Sequence, residues 1–265
     1  MRHSNTVDDV IDFILANAPS EGEEAKKPFP ARRFKYELVD SAVNELHAEG
    51  RFLDLEAYDI RGTLHMWHTK EGVTNYALAR KATKNLIKTL QEKSPDKKLE
   101  EILPTIMAEH FLHAPSNRYQ TILGGMMASV YESSPYDALK DLVNNDPKLA
   151  EFRDLQPYDM QKPPENTWNK KDGTKNYELA RQATKQLVKE LQKQNPDKEL
   201  EQIFLTITAR QFYHVPINRY RTTLGGMLAN VYECSPYQAL KDLAEHDDEL
   251  RKYLPIIEEL RHKAA

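Results

Sequence analysis

The chain repeats itself. At an offset of 101, Trp67–Leu142 matches Trp168–Leu243 without a gap, and 47 of the 76 positions are identical. Repeats are sought before any other signal because a missed period misassigns the whole fold. A block of about a hundred residues is long enough to close a core of its own. The chain of 265 residues therefore reads as a tandem duplication: a small N-terminal head over residues 1–66, a first unit over 67–166 and a second over 167–265. A fainter echo lies upstream, where Tyr36–Asp59 shares 8 of 24 residues with Tyr136–Asp159 at an offset of 100, among them Phe52, Asp54, Leu55, Tyr58 and Asp59. Two readings of the head follow. It is a worn or truncated copy of the unit's tail, or an independent small helical or winged-helix domain with helices over Val7–Leu15 and Phe34–His47, joined by an exposed charged connector, Ser20–Pro30.

Apolar spacing within each unit predicts an all-α fold of four helices. The first runs from about Asn75 to Lys93, with Leu78, Ala82, Leu86 and Leu90 at four-residue steps. Pro95-Asp96 breaks the chain and caps a second helix, which Pro104 should kink; the second copy has Leu205 in that place. A third helix is expected from about Arg118 to Glu132, with Gly124-Gly125 in its middle. Mid-helix glycines cost roughly 1 kcal/mol each relative to alanine, so close approach of a neighbouring helix is the expected compensation, the functional alternative being close approach of a phosphate backbone. Ser134-Pro135 starts a fourth helix with a capping serine and proline at its first position. The third and fourth helices together have the outline of a helix-turn-helix.

The same residues carry a family resemblance. LGGML from Leu224, SPYQAL from Ser235 and PENTW ending at Trp168 resemble an uncharacterised Bacillus repeat family, a domain of unknown function with G-L-x-G-M-L, S-P-Y-x-A-I and F-W motifs in that order. The resemblance covers both units and implies a repeated helical architecture in a bacterial protein, with no established activity. A charged stretch, Asn144–Asp154, replaces the family's Tyr-Pro-Gly turn.

Charge and chemistry narrow the function. With 37 basic and 41 acidic residues the chain carries a net charge of −4. This divides into −6 over residues 1–59, zero over 60–160 and +2 over 161–265, so nucleic-acid contact, if made, is local. No apolar run approaches the ~20 residues that span a bilayer. The start lacks an export signal and the single cysteine, Cys234, excludes an internal disulfide, which together predict a soluble cytoplasmic protein. The histidines do not pair at ligand spacing, so no metal is expected. No cofactor motif is present, Gly124-Gly125 being no phosphate loop. Ser134 and Ser235 are explained by capping, and no nucleophile–base arrangement is legible. An enzyme is not expected.

Two features are candidates for a nucleic-acid site. One is the stripe Arg80-Lys84-Lys88, repeated as Arg181-Lys185-Lys189, which lines up three cations on a helix face. The other is Asn117-Arg118-Tyr119, repeated as Asn218-Arg219-Tyr220, which sets an amide, a guanidinium and a ring at an expected helix start where backbone N–H groups receive phosphate. The leading expectation is a tandem nucleic-acid-binding regulator or accessory protein of a bacterium or mobile element. The alternative is a scaffold for protein partners, suggested by the neutral-to-acidic balance and by apolar and aromatic residues, including Tyr131, Tyr136 and Tyr158, in helical repeats of the kind that present a concave face.

Overall fold

In the computed structural model the described residues are 6–20, 23–60, 66–68, 72–164, 166–170 and 172–263, without the side chains of 261–263. They are all-helical, with no strand among them and only isolated bridges such as His68 with Thr74 and Asn169 with Lys175. The head accordingly shows no wing among its described residues. Contacts divide the chain into two compact units, Met1–Gln156 with Met160–Lys162, and Pro157–Asp159 with Pro163–Ala265.

The first unit contains α1 (Val7–Asn17), α2 (Tyr36–Ala48), α3 (Tyr76–Glu92), α4 (Leu99–Ile102), α5 (Ala108–His113), α6 (Gly124–Val130) and α7 (Pro135–Asn145). A capping box starts α1: Thr6 accepts the Asp9 N–H and the Asp9 carboxylate accepts the Thr6 N–H. The head closes a core of Val10, Phe13, Ile14, Phe29, Phe34, Val39, Val43 and Leu46, and Tyr119 belongs to the same cluster. Helix α3 begins where the Asn75 side chain accepts the Leu78 N–H. It buries Leu78, Ala79, Ala82, Thr83, Leu86 and Ile87, the face its four-residue spacing foretold.

The second unit holds α8 (Tyr177–Gln194), α9 (Leu200–Thr206), α10 (Ala209–His214), α11 (Gly225–Tyr232), α12 (Pro236–His246) and α13 (Leu254–Lys263). Its core runs from Tyr158 to Ile257 and includes Leu187, Phe204, Phe212, Leu224, Leu228 and Leu240. Asn176 caps α8 through the Leu179 N–H, and Ser134 and Ser235 cap α7 and α12 with proline at the first turn.

Three local expectations change. Pro104 does not kink a continuing helix. It stands in a 3-10 turn, Leu103–Thr105, that ends α4 after four residues, because proline has no N–H for the i→i−4 bond. With Leu205 in the equivalent place, α9 continues to Thr206. A short helix that the periodicity did not reveal, α5 and again α10, follows. The signal for the second is a capping box, in which the Gln211 side chain accepts both the Thr208 N–H and its hydroxyl. Finally, the third expected helix is shorter than its pattern. Gln120 at φ 62° and Arg221 at φ 59° turn the chain through left-handed backbone first, so Gly124 and Gly225 are the opening residues of α6 and α11 rather than interior ones.

The glycines still have a steric reason. A Cβ on Gly225 would lie 2.3 Å from Cδ1 of Tyr213, and one on Gly124 would lie 2.9 Å from Cδ2 of Leu112. In both units the preceding short helix approaches here, while Gly226 meets nothing within 4 Å. Adjacent substitutions should therefore have opposite signs. Gly225→Ala is expected to cost about 1–3 kcal/mol through overpacking against the Tyr213 ring. Gly226→Ala should stabilise by up to about 1 kcal/mol through helix propensity. Urea unfolding of the two variants against the parent checks the pair, and equal effects would discount the Tyr213 contact.

Candidate interaction site

Each residue singled out for phosphate binding has a definite place, and most are occupied by the protein's own carboxylates. Arg80 reaches both oxygens of Asp141 at 3.2 and 3.4 Å, and the Tyr131 hydroxyl donates to the same carboxylate at 2.8 Å. Arg181, Asp242 and Tyr232 form the same trio, at 3.1 and 3.4 Å for the arginine and 2.7 Å for the hydroxyl. Burial, then the carboxylate they donate to, raises both tyrosine hydroxyls well above their ordinary range. Lys84 pairs with Asp146 at 2.6 Å and Lys185 with Asp247 at 2.5 Å. The hydrogen bond from each lysine holds its aspartate below the usual carboxylate range. The stripes thus brace α3 to the end of α7 and α8 to the end of α12. The end of each stripe is open to solvent: Lys88 lies 3.7 Å from Glu92, and Lys189 lines a groove described below.

The Asn-Arg-Tyr motif also faces inward. It precedes α6 and α11 by several residues and lies in a turn, so no helix N-terminus stands behind it to receive phosphate. Asn117 Nδ2 donates to Asp59 Oδ1 at 2.6 Å while its Oδ1 accepts the Tyr119 N–H at 3.1 Å. Thr121 Oγ1 donates to the same oxygen of Asp59 at 2.6 Å, and the Glu56 N–H donates to Oδ2 at 2.9 Å. Asp59 is buried, and desolvation pushes its carboxyl up to about 7 against the three donors that favour the anion. In the second unit Asn218 and Thr222 make the matching bonds to Asp159 at 2.7 and 2.6 Å, and Tyr220 donates its N–H to Asn218 Oδ1 at 3.0 Å. The motif is a clasp for an aspartate that ends a Tyr-Asp segment. The recurring Tyr58-Asp59 and Tyr158-Asp159 of the faint echo were the sequence signal for it.

Arg118 extends this clasp. Its Nη2 donates to Asp54 Oδ1 at 2.8 Å and to the Tyr119 hydroxyl at 2.6 Å, and Nη1 donates to the carbonyls of Ser20 and Glu23 at 2.9 and 3.4 Å. The Ala25 N–H returns a bond to the Arg118 carbonyl at 2.8 Å. The Asp54 bond raises the Arg118 guanidinium further and lowers Asp54. The connector of the head therefore meets Arg118 through the backbone of Ser20, Glu23 and Ala25. In the second unit the Arg219 guanidinium stands over the Tyr220 ring, 5.1 Å from its centre.

Each unit has a recess among its described residues. The first, of about 320 Å³, is walled by Tyr58, Trp67, Met66, Met126 and Ile122, with Asp59 in its lining. Tyr58 and Trp67 stack at 6.1 Å and 21°, and Ile122 stands at the rim with 51% of its surface exposed. The second, of about 600 Å³, lies between the C-terminal half of α8 and the Pro216–Arg219 turn and is lined by Lys189, Lys193, Glu190 and Gln194. Among the described residues no cluster of three His, Cys, Asp or Glu side chains is placed to hold a metal ion, and no helix is long and apolar enough to cross a membrane.

Comparison with protein-family models, with curated proteins and with solved structures gives no match for this chain.

Proposed function

We propose that this chain is a helical protein-interaction module whose first unit takes an apolar side chain of a partner segment into the Tyr58–Trp67 recess. The observation that carries the reading is the recess itself: aromatic and methionine walls with an exposed isoleucine at the mouth. A fixed aromatic floor gives large contact area at low entropic cost, and methionine lets a surface adapt to the shape it meets. Its volume is at the bottom of the range that holds a small organic ligand, roughly 300–1,000 Å³, and suits one or two side chains better than a cofactor. On this reading the two units are tandem duplicates, and the helix-turn-helix-like outline of α6–α7 and α11–α12 is a packing arrangement.

The reading also accounts for the ion pairs. A phosphate-binding stripe needs cations free to release counterions, whereas Arg80, Lys84, Arg181 and Lys185 brace helix to helix. Nucleic-acid binding is the second reading, and Lys189 and Lys193 in the second recess favour it.

Ile122→Asp is the test. Random peptides displayed on phage and selected on the parent protein should converge on apolar or aromatic residues. Their affinity should fall tenfold or more in Ile122→Asp, with the melting temperature unchanged because Ile122 is a rim residue. Burying an unpaired carboxylate against an apolar peptide easily exceeds the ~1.4 kcal/mol that a factor of ten requires. Selection without enrichment, or equal binding to the variant, would remove the proposal. Saturable low-salt binding of duplex or single-stranded oligonucleotides that is weakened by Lys189→Glu would establish the second reading instead.

A further inference from the structure

Independently of the recess in the first unit, we infer that the second unit is exchangeable between copies of this chain. The Pro157–Asp159 segment of one copy seats in the Asn218–Thr222 clasp of another, and two copies that trade segments in this way form a dimer. Among the described residues, Trp168, Gln186, Asn218 and Thr222 hold the segment. The Tyr158 ring stacks on Trp168 at 5.5 Å and 6°, its hydroxyl donates to Gln186 Oε1 at 3.2 Å, and Asp159 Oδ1 accepts from Asn218 and Thr222. Each of these stands 101 residues after its counterpart, Trp67, Asn85, Asn117 or Thr121, and the counterparts hold Tyr58 and Asp59 at the matching places. Yet the stretches that end in the two Tyr-Asp pairs, Tyr36–Asp59 and Tyr136–Asp159, share only 8 of 24 residues. The clasp therefore reads the Tyr-Asp pair itself and tolerates what surrounds it, as a site for a separate peptide does.

That the segment comes from a second copy follows from how the chain is threaded. Gln156 before the segment and Met160–Lys162 after it belong to the first unit, and the Gln161 N–H is fixed on the Pro104 carbonyl at 2.7 Å. Only residues 163–167 join this anchored stretch to Trp168. The connection opens with Pro163-Pro164 and carries Asn166 in left-handed backbone at φ 63°. Proline fixes φ, and a short connection under strain invites exchange, because it closes on its own unit at a cost that a second copy relieves. In the exchanged dimer every bond of the clasp is remade with the identical residue of the other copy. The main opposing term is then the entropy of association, which rising concentration offsets.

The test uses two full-length variants whose clasps match only when exchanged. Asn218→Asp sets a second carboxylate against Asp159, so its own clasp is mismatched and its melting temperature should fall below the parent's. Asp159→Asn offers that altered clasp an uncharged segment, while its own intact Asn218 receives the Asp159 of the other variant. Co-refolded in equal amounts and followed by size-exclusion chromatography with light scattering, the pair should give a species of twice the chain mass. Its melting temperature should exceed that of Asn218→Asp alone by about 4 °C or more. Asn218→Asp co-refolded with the parent should show no such rise, because both segments then carry the aspartate. If Asn218→Asp does not fold alone, return of its helical circular-dichroism signal with Asp159→Asn, and not with the parent, is the same result. A mixture that behaves as two independent monomers, with no rise and no return of signal, would overturn the inference. An equal rise with the parent would place the association elsewhere on the chain and overturn it too.

Discussion

Replacing Asp59 with alanine is expected to destabilise the first unit by about 3–5 kcal/mol. The carboxylate is buried and accepts from Asn117, Thr121 and the Glu56 N–H. Removing it strands three donors at once, and each buried unsatisfied group costs roughly 1–3 kcal/mol. In an ~150-residue unit that corresponds to a melting temperature lower by about 6–20 °C, readable by calorimetry. Asp59→Asn separates packing from charge. Its amide oxygen can accept from both Asn117 and Thr121, while its NH₂ meets the Glu56 N–H, so one bond is lost and two survive. The isosteric variant should also change the pH profile. The folded carboxyl is raised to about 7 by desolvation, with the nearby Glu56 carboxylate adding to the rise. The folded protein therefore holds a proton that the unfolded chain releases near pH 4. Stability from this group is fully present below pH 4 and is lost as pH rises through 7. The unfolding free energy of the parent minus that of Asp59→Asn should fall steadily between pH 4 and 7. A difference independent of pH would mean that Asp59 is ionised throughout.

Tyr119→Ala should cost a similar amount, about 3–5 kcal/mol, and should act chiefly on the head. The ring is fully buried within the head's own cluster, 6.0 Å from the ring of Phe29, although it comes from the turn before α6. Its hydroxyl donates to Asp54 at 2.8 Å and accepts from Arg118. Without it, α1 and α2 lose a wall of their core, and Arg118, which holds the backbone of Ser20, Glu23 and Ala25, loses the hydroxyl it donates to. Limited proteolysis should then cut between residues 18 and 35 at enzyme levels that leave the parent intact. Tyr119→Phe keeps the ring and should cost only about 0.5–1.5 kcal/mol. If proteolysis of Tyr119→Ala were unchanged, the head would be held by something other than this side chain.

The helical class, the bounds of α3, the start of α7 and the serine caps were legible in the sequence because they rest on local signals: four-residue apolar spacing, Asn75 and Ser134 as caps, and proline at the first turn. The roles of the charged residues were not. Arg80 and Asp141 are 61 residues apart, and Lys84 and Asp146 are 62 apart. A stripe of cations looks the same in sequence whether it meets water, phosphate or its own carboxylates. Asn117-Arg118-Tyr119 was misplaced because the left-handed Gln120 breaks the helix that its pattern suggested, and nothing in a glutamine announces a positive φ. The faint echo at an offset of 100 did contain the answer, since Asp59 and Asp159 survive in it as the two aspartates that Asn117 and Asn218 hold.

The Pro157–Asp159 segment follows the first unit along the polypeptide yet belongs to the second. The natural seam in the covalent chain is thus staggered: a cut anywhere from residue 160 to 167 separates Asn218 and Thr222 from the carboxylate they were built around. The duplicated stretch that is easiest to see, opening at the tryptophans, is out of step with the block that folds together, which begins a few residues earlier with the Tyr-Asp pair.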